Sequence, residues 1–144
     1  MSLDKIMELI PHRPPMLLID KILQSGEWSI VCQKTFRAEE FFFQGHYPSF
    51  ALVPGVILLE SCCQAGAVLI AQTQPDFAGS KVPVLTRVDK AKFKRMIRPG
   101  DCVTLEAEIV DVISQAIYLK GKVKLDGKIS VTFDFTCSMA PRTT

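Results

Sequence analysis

The chain has 144 residues, 48% hydrophobic and 22% charged, with a formal net charge of +2. That balance is globular and excludes a disordered polymer, the length suits one domain with a real core, and so small a charge gives no reason to expect nucleic acid. Cys32, Cys62, Cys63, Cys102 and Cys137 form no CxxC pair, and adjacent Cys62 and Cys63 suit no disulfide framework, so a reducing cytoplasm is the expected setting.

No secretory leader is read in MSLDKIMELIPHRPP, which has no long apolar stretch behind basic residues. Leu3, Ile6, Met7 and Ile10 have helical spacing, so a short amphipathic helix is expected over residues 2–9, stopped by Pro11, Pro14 and Pro15. MLLIDKIL and WSIVCQKTF read as strands joined at Ser25, Gly26 and Glu27. Residues 38–54 mix aromatics and prolines without a period and read as a structured loop.

Gly55 to Gln72 is the one long helix, ended by Pro75 and Gly79 in QTQPDFAGS. Val56, Ile57, Leu58, Leu59, Cys62, Cys63, Ala65, Val68, Leu69 and Ile70 cover every side of it, so it has to be enclosed on every side. A membrane span is not expected, because Glu60 and Gln64 interrupt a run that falls short of the roughly 20 apolar residues a bilayer needs.

Beyond the helix the period becomes two. VPVLTRVDKAKF, CVTLEAEIV, AIYLKGKVKL and ISVTFDFTCSM read as strands, and Asp126–Gly127 joins the last two as a tight hairpin. One apolar face per strand predicts an antiparallel sheet curled around the helix. Such a sheet leaves part of the helix uncovered, so a homodimer that closes the gap is expected.

The stretch FFFQGHYPSFALVPGVILLESCCQ, residues 41–64, places His46 and Glu60 in apolar company. A buried carboxyl without a partner costs several kcal/mol, so the pair needs a reason. Pro54 and Gly55 open the helix, where free amides favour a negative atom and glycine lets it come close. Apolar surroundings favour a protonated Glu60, Gln64 lies one turn on and can orient its carboxyl, and His46 can act as a base near neutral pH. Base, acid and anion-stabilising helix end suit proton removal beside a carbonyl with loss of a leaving group one carbon further on. Spacing alone does not choose dehydration over hydrolysis.

GHYPSFALVPGVILLESCCQ, with LIPHRPPMLLIDKI before it and VDKAKFKRMIRPGD after it, resembles the 3-hydroxyacyl-acyl-carrier-protein dehydratases of the FabZ type. The resemblance implies an α+β hotdog fold over residues 1–144, an antiparallel sheet wrapped around a central helix, with no cofactor and no metal. It implies dimers that assemble into trimers of dimers. It assigns catalysis to His46 with Glu60 of the opposite subunit, and the thioester oxygen to the Gly55 amide, with Val56, Gln64, Phe50 and Pro54 at the substrate. Ala51 stands where the family commonly has proline, after bulky Phe50, and Cys62 and Cys63 replace smaller residues, which bears on loop rigidity and chain-length preference.

The basic run Arg87, Lys90, Lys92, Lys94, Arg95 and Arg98 reads either as a solvated strand face or as a docking patch for acidic acyl carrier protein. His12 reads as part of a structural loop near the substrate entrance. Competing functions are a hotdog acyl thioesterase, a dehydratase of a specialised, polyketide-like acyl pathway, and a non-catalytic acyl-binding subunit.

Overall fold

In the computed structural model, residues 2–45, 50–74 and 81–141 are described. Helix α1 (Leu3–Leu9) is followed by strands β1 (Lys21–Ser25) and β2 (Ser29–Thr35), a 3-10 turn (Phe41–Phe43), the long helix α2 (Gly55–Thr73), and strands β3 (Lys81–Phe93), β4 (Cys102–Ile113), β5 (Ala116–Leu125) and β6 (Lys128–Pro141). The strands form one six-stranded sheet in the order β1-β2-β4-β5-β6-β3, with every pairing antiparallel.

Alternation decides which face of the sheet meets α2. On β4, Val103, Leu105, Ala107 and Ile109 are each at most 4% exposed. Outward-facing Glu106 and Glu108 stand opposite Lys122 and Lys120 of β5, a cross-strand pairing of opposite charges on the wet side. The hairpin between β5 and β6 turns at Asp126 and Gly127, both at positive φ, as a tight primed turn requires.

Sheet and helix come closest where glycines remove side chains. A Cβ at Gly121 of β5 would lie 2.5 Å from Phe133 Cε1 and 3.0 Å from Cys62 Sγ. One at Gly66 of α2 would lie 2.8 Å from Phe135 Cζ. Phe133 and Phe135, two residues apart on the inner face of β6, stack at 5.0 Å in the space these glycines leave.

One expectation needs correction. The strand foreseen from Met16 begins only at Lys21, although Leu17, Leu18 and Ile19 are buried. The reason is that α2 takes the hydrogen bonds of this segment: the Leu18 amide donates to Gln64 Oε1 (2.8 Å), and Ser61 Oγ donates to the Leu18 carbonyl (2.5 Å). A strand pairing cannot use groups already bonded. The helix is buried at every residue from Ser61 to Ile70, while Val56 in its first turn is 70% exposed, in keeping with the expectation that the sheet leaves part of it uncovered. Helix α2 is long and apolar enough to cross a membrane by length and composition, but 61% of its most apolar window is buried against the rest of the chain.

A charged cluster sits beneath the segment that leads toward His46. Lys34 is only 2% exposed; its Nζ lies 2.7 Å from Glu40 Oε1 and 3.7 Å from Asp20 Oδ1. The other oxygens are engaged as well, Asp20 Oδ2 by the Thr35 amide and Glu40 Oε2 by the Arg37 amide, each at 2.7 Å. Glu40 also precedes the 3-10 turn, so a buried cation anchors the start of the aromatic loop.

Two outcomes follow for stability. Gly121→Ala forces Phe133 off its position and costs about 2 kcal/mol, read as a lower urea midpoint with unchanged slope. Lys34→Met leaves Glu40 without its cation and Asp20 with Arg37 alone at 3.6 Å, and costs about 2 kcal/mol in the same measurement, less than a fully buried pair because both carboxylates retain some solvent.

Candidate active site

Gln64 is the only amide side chain inside the buried run of α2, and each of its polar atoms is used. Its Oε1 accepts from the Leu18 amide at 2.8 Å, which fixes which end of the amide is oxygen. Its Nε2 then donates to the Met16 carbonyl at 2.7 Å and to Glu60 Oε2 at 2.8 Å. Glu60, one turn nearer the helix start, is therefore held through one oxygen, while Oε1 has no partner among the described residues. The carboxyl is half-buried.

The same lacing carries His12 to this carboxyl. His12 Nε2 lies 3.6 Å from Glu60 Oε2. Arg13 holds the loop in place by donating to the carbonyls of Met7 (2.9 Å), Ile10 (2.9 Å) and His12 (2.7 Å), filling acceptors left at the end of α1. Burial lowers the pKa of His12 below its ordinary value, with Arg13 acting in the same direction and Glu60 opposing. Burial thus favours the neutral imidazole beside Glu60. His12 Nδ1 is buried without a hydrogen-bond partner among the described residues. Sequence reading placed His12 near the entrance of the site; its contact with Glu60 joins residues 48 positions apart and has no local signal.

At the start of α2 the amides of Ile57 and Leu58 both turn to the Pro54 carbonyl, at 2.9 and 3.3 Å. The amides of Gly55 and Val56 meet no acceptor among the described residues. Gly55 also accommodates a neighbour, since a Cβ there would lie 2.8 Å from Phe93 Cε1. The loop before the helix is tied down by the Val53 amide, which donates to the Ile97 carbonyl at 2.7 Å.

Phe93, Lys94, Arg95, Met96, Arg98 and Leu125 line an open groove of about 490 Å³ that begins where Phe93 covers Gly55. Of the basic run, Arg87 is engaged by Asp89 at 2.7 Å and Lys90 faces Asp134 at 3.9 Å. Lys92, Lys94 and Arg95 are exposed, and Arg98 lies over the ring of exposed Phe50 at 5.1 Å.

The sequence-predicted residues thus divide. Glu60, Gln64, Pro54, Gly55 and Val56 share the first half of α2, and Phe50 lies on the loop before it. His46 lies outside the described residues. The described cysteines are free, and burial pushes the thiols of Cys62 and Cys137 up to about 12, so neither is a nucleophile at neutral pH. No cluster of three or more potential metal ligands forms among the described residues.

A family profile described as a FabA-like domain matches residues 10–134. The 3-hydroxyacyl-[acyl-carrier-protein] dehydratase FabZ of Clostridium perfringens is 38% identical over 130 residues, covering 90% of this chain and 92% of that protein. The protein of the same name from Oceanobacillus iheyensis is 36% identical over 138 residues, covering 94% and 96%. Among solved structures, the dehydratase heterocomplex ApeI:P of Xenorhabdus doucetiae superposes with a TM-score of 0.80 at 14% identity, covering 94% of this chain and 90% of that one, which supports the hotdog fold. A held carboxyl beside a helix start with free amides, in a sheet-wrapped helix, and relatives aligned along nearly the whole chain agree: the chain belongs to the FabA-like family, among its FabZ-type 3-hydroxyacyl-acyl-carrier-protein dehydratases.

Proposed function

We propose that the chain removes water from a 3-hydroxyacyl thioester carried on acyl carrier protein, leaving the trans-2-enoyl thioester, as a step of fatty acid biosynthesis. The observation that carries this reading is the Glu60 carboxyl, held at Oε2 by Gln64 and without a partner at Oε1 among the described residues, on the same helix as the Gly55 and Val56 amides, which likewise meet no acceptor among those residues. Helical rise separates Gly55 from Glu60 by about 7.5 Å along the axis.

In this mechanism the thioester oxygen accepts the Gly55 amide, at the positive end of the helix, and gains charge as the enolate develops. His46 takes the proton from the carbon beside the carbonyl. The C–O bond one carbon further on breaks, and the proton on Glu60 Oε1 goes to the departing hydroxyl, which leaves as water. Val56, Pro54 and Phe50 border the reacting chain. The reaction changes no oxidation state overall and needs no cofactor.

His46 is supplied by a second copy of the chain. Three features support that assembly. Strand β3 is a long outer strand of the sheet, next to β6 on one side only in the strand order. Val84, Leu85, Val88 and Phe93 on it are exposed. The first turn of α2 is uncovered as well. An exposed edge of this kind is a liability until it is paired. A trimer of such dimers is the larger assembly, and the cytoplasm is its setting. The carrier docks on the groove lined by Lys94, Arg95 and Arg98, with Lys90 and Lys92 beside it, its acidic surface drawn by their charge.

Glu60→Gln and His46→Ala each retain the fold and lower the dehydration rate by about 10²- to 10⁴-fold, followed by the appearance of the enoyl thioester. A parental rate in Glu60→Gln, or release of free thiol in place of enoyl product, refutes the mechanism. Lys94→Glu with Arg95→Glu raises the KM for carrier-bound substrate about tenfold and leaves that for a pantetheine thioester unchanged. An equal effect on both substrates refutes the docking surface.

A further inference from the structure

We propose that His12 is a positioning residue for the Glu60 carboxyl, acting as a neutral Nε2–H donor that shares Oε2 with Gln64 and reserves Oε1 for the transferred proton. The proposal rests on the reading of Glu60 as the acid. It follows from which atoms are already used. Gln64 Nε2 donates to Oε2 at 2.8 Å, and its amide cannot be reversed, because Oε1 of Gln64 holds the Leu18 amide. An oxygen that accepts a strong hydrogen bond is the poorer place for the carboxyl's own proton, which leaves that proton on Oε1.

His12 faces the same Oε2. With its proton on Nδ1, the ring would bury an N–H without a partner and turn an Nε2 lone pair toward an oxygen already accepting from Gln64. With its proton on Nε2, the ring directs a donor at that oxygen and leaves only an unpaired acceptor buried, the less costly arrangement. The 3.6 Å separation is longer than a hydrogen bond. It suits a contact that tightens when Glu60 gives up its proton, because a carboxylate attracts the donor more strongly than the acid does. His12 then stabilises the state formed as water departs more than the ground state, which is what raises a rate.

Two substitutions separate this role from simple packing. His12→Leu fills the space without an N–H, and His12→Gln places an N–H near the Nε2 position. With a 3-hydroxyacyl pantetheine thioester as substrate, His12→Leu is expected to lower kcat about 10- to 100-fold with KM within about twofold, the loss of one hydrogen bond to a charged group. His12→Gln is expected to recover kcat to within about fivefold of the parent, since it restores the donor. Both variants are checked for a parental melting temperature; if His12→Leu does not fold, the kcat of His12→Gln decides alone. A parental kcat in His12→Leu, a loss carried by KM, or a folded His12→Gln more than about tenfold slower than the parent overturns the proposal. Glu60→Gln is measured in parallel: inert Glu60→Gln beside a parental His12→Leu overturns this inference alone, whereas a parental Glu60→Gln overturns the acid assignment on which it rests.

Discussion

The buried amide of Gln64 organises this protein's chemistry. A polar side chain in the middle of an apolar helix is costly unless every donor and acceptor is used, and here each polar atom has a partner. Two of its bonds pull residues Met16 and Leu18 against α2, and the third holds Glu60. The requirement to satisfy one amide therefore fixes at once the route of the N-terminal segment, the place of the following strand and the orientation of a carboxyl. Ser61, bonded to the Leu18 carbonyl, completes that seam.

The sheet gives α2 a dry environment from Ser61 onward and leaves its first turn open, and this division is useful. A helix start is electrostatically positive, and its first amides meet no acceptor among the described residues, so exposure there favours a negative atom. Further along, the same helix needs enclosure because it has no polar face to offer. The Lys34 cluster and the bond from Val53 to Ile97 hold the flanking loop segments from below, so the open end rests on fixed supports.

Most of the architecture was legible in the sequence because it obeys simple periods. Alternation in β4, β5 and β6 named their inner residues, the Asp126–Gly127 pair named the hairpin, and the helix limits differ by a single residue at Thr73. Local patterns failed where long-range bonds decided. Residues 16–20 are as apolar as a strand, yet Met16 and Leu18 spend backbone groups on α2 and Asp20 caps Thr35. Glu60 and Gln64 could be paired by helical spacing alone, whereas His12 reaches Glu60 through the fold, by way of Arg13 and the seam at Gln64. Among the basic residues, sequence could not distinguish Arg87 and Lys90, which face acidic neighbours, from Lys94 and Arg95.

The contact of sheet and helix at Gly121 and Gly66 also limits how a hydrophobic cargo can travel. With Phe133 and Phe135 pressed against positions that lack even a methyl group, sheet and helix leave no gap for a fatty chain at Gly66 and Gly121. The exposed flank of this helix is its first turn at Val56, so room for a lengthening tail depends on whatever surface closes over that end.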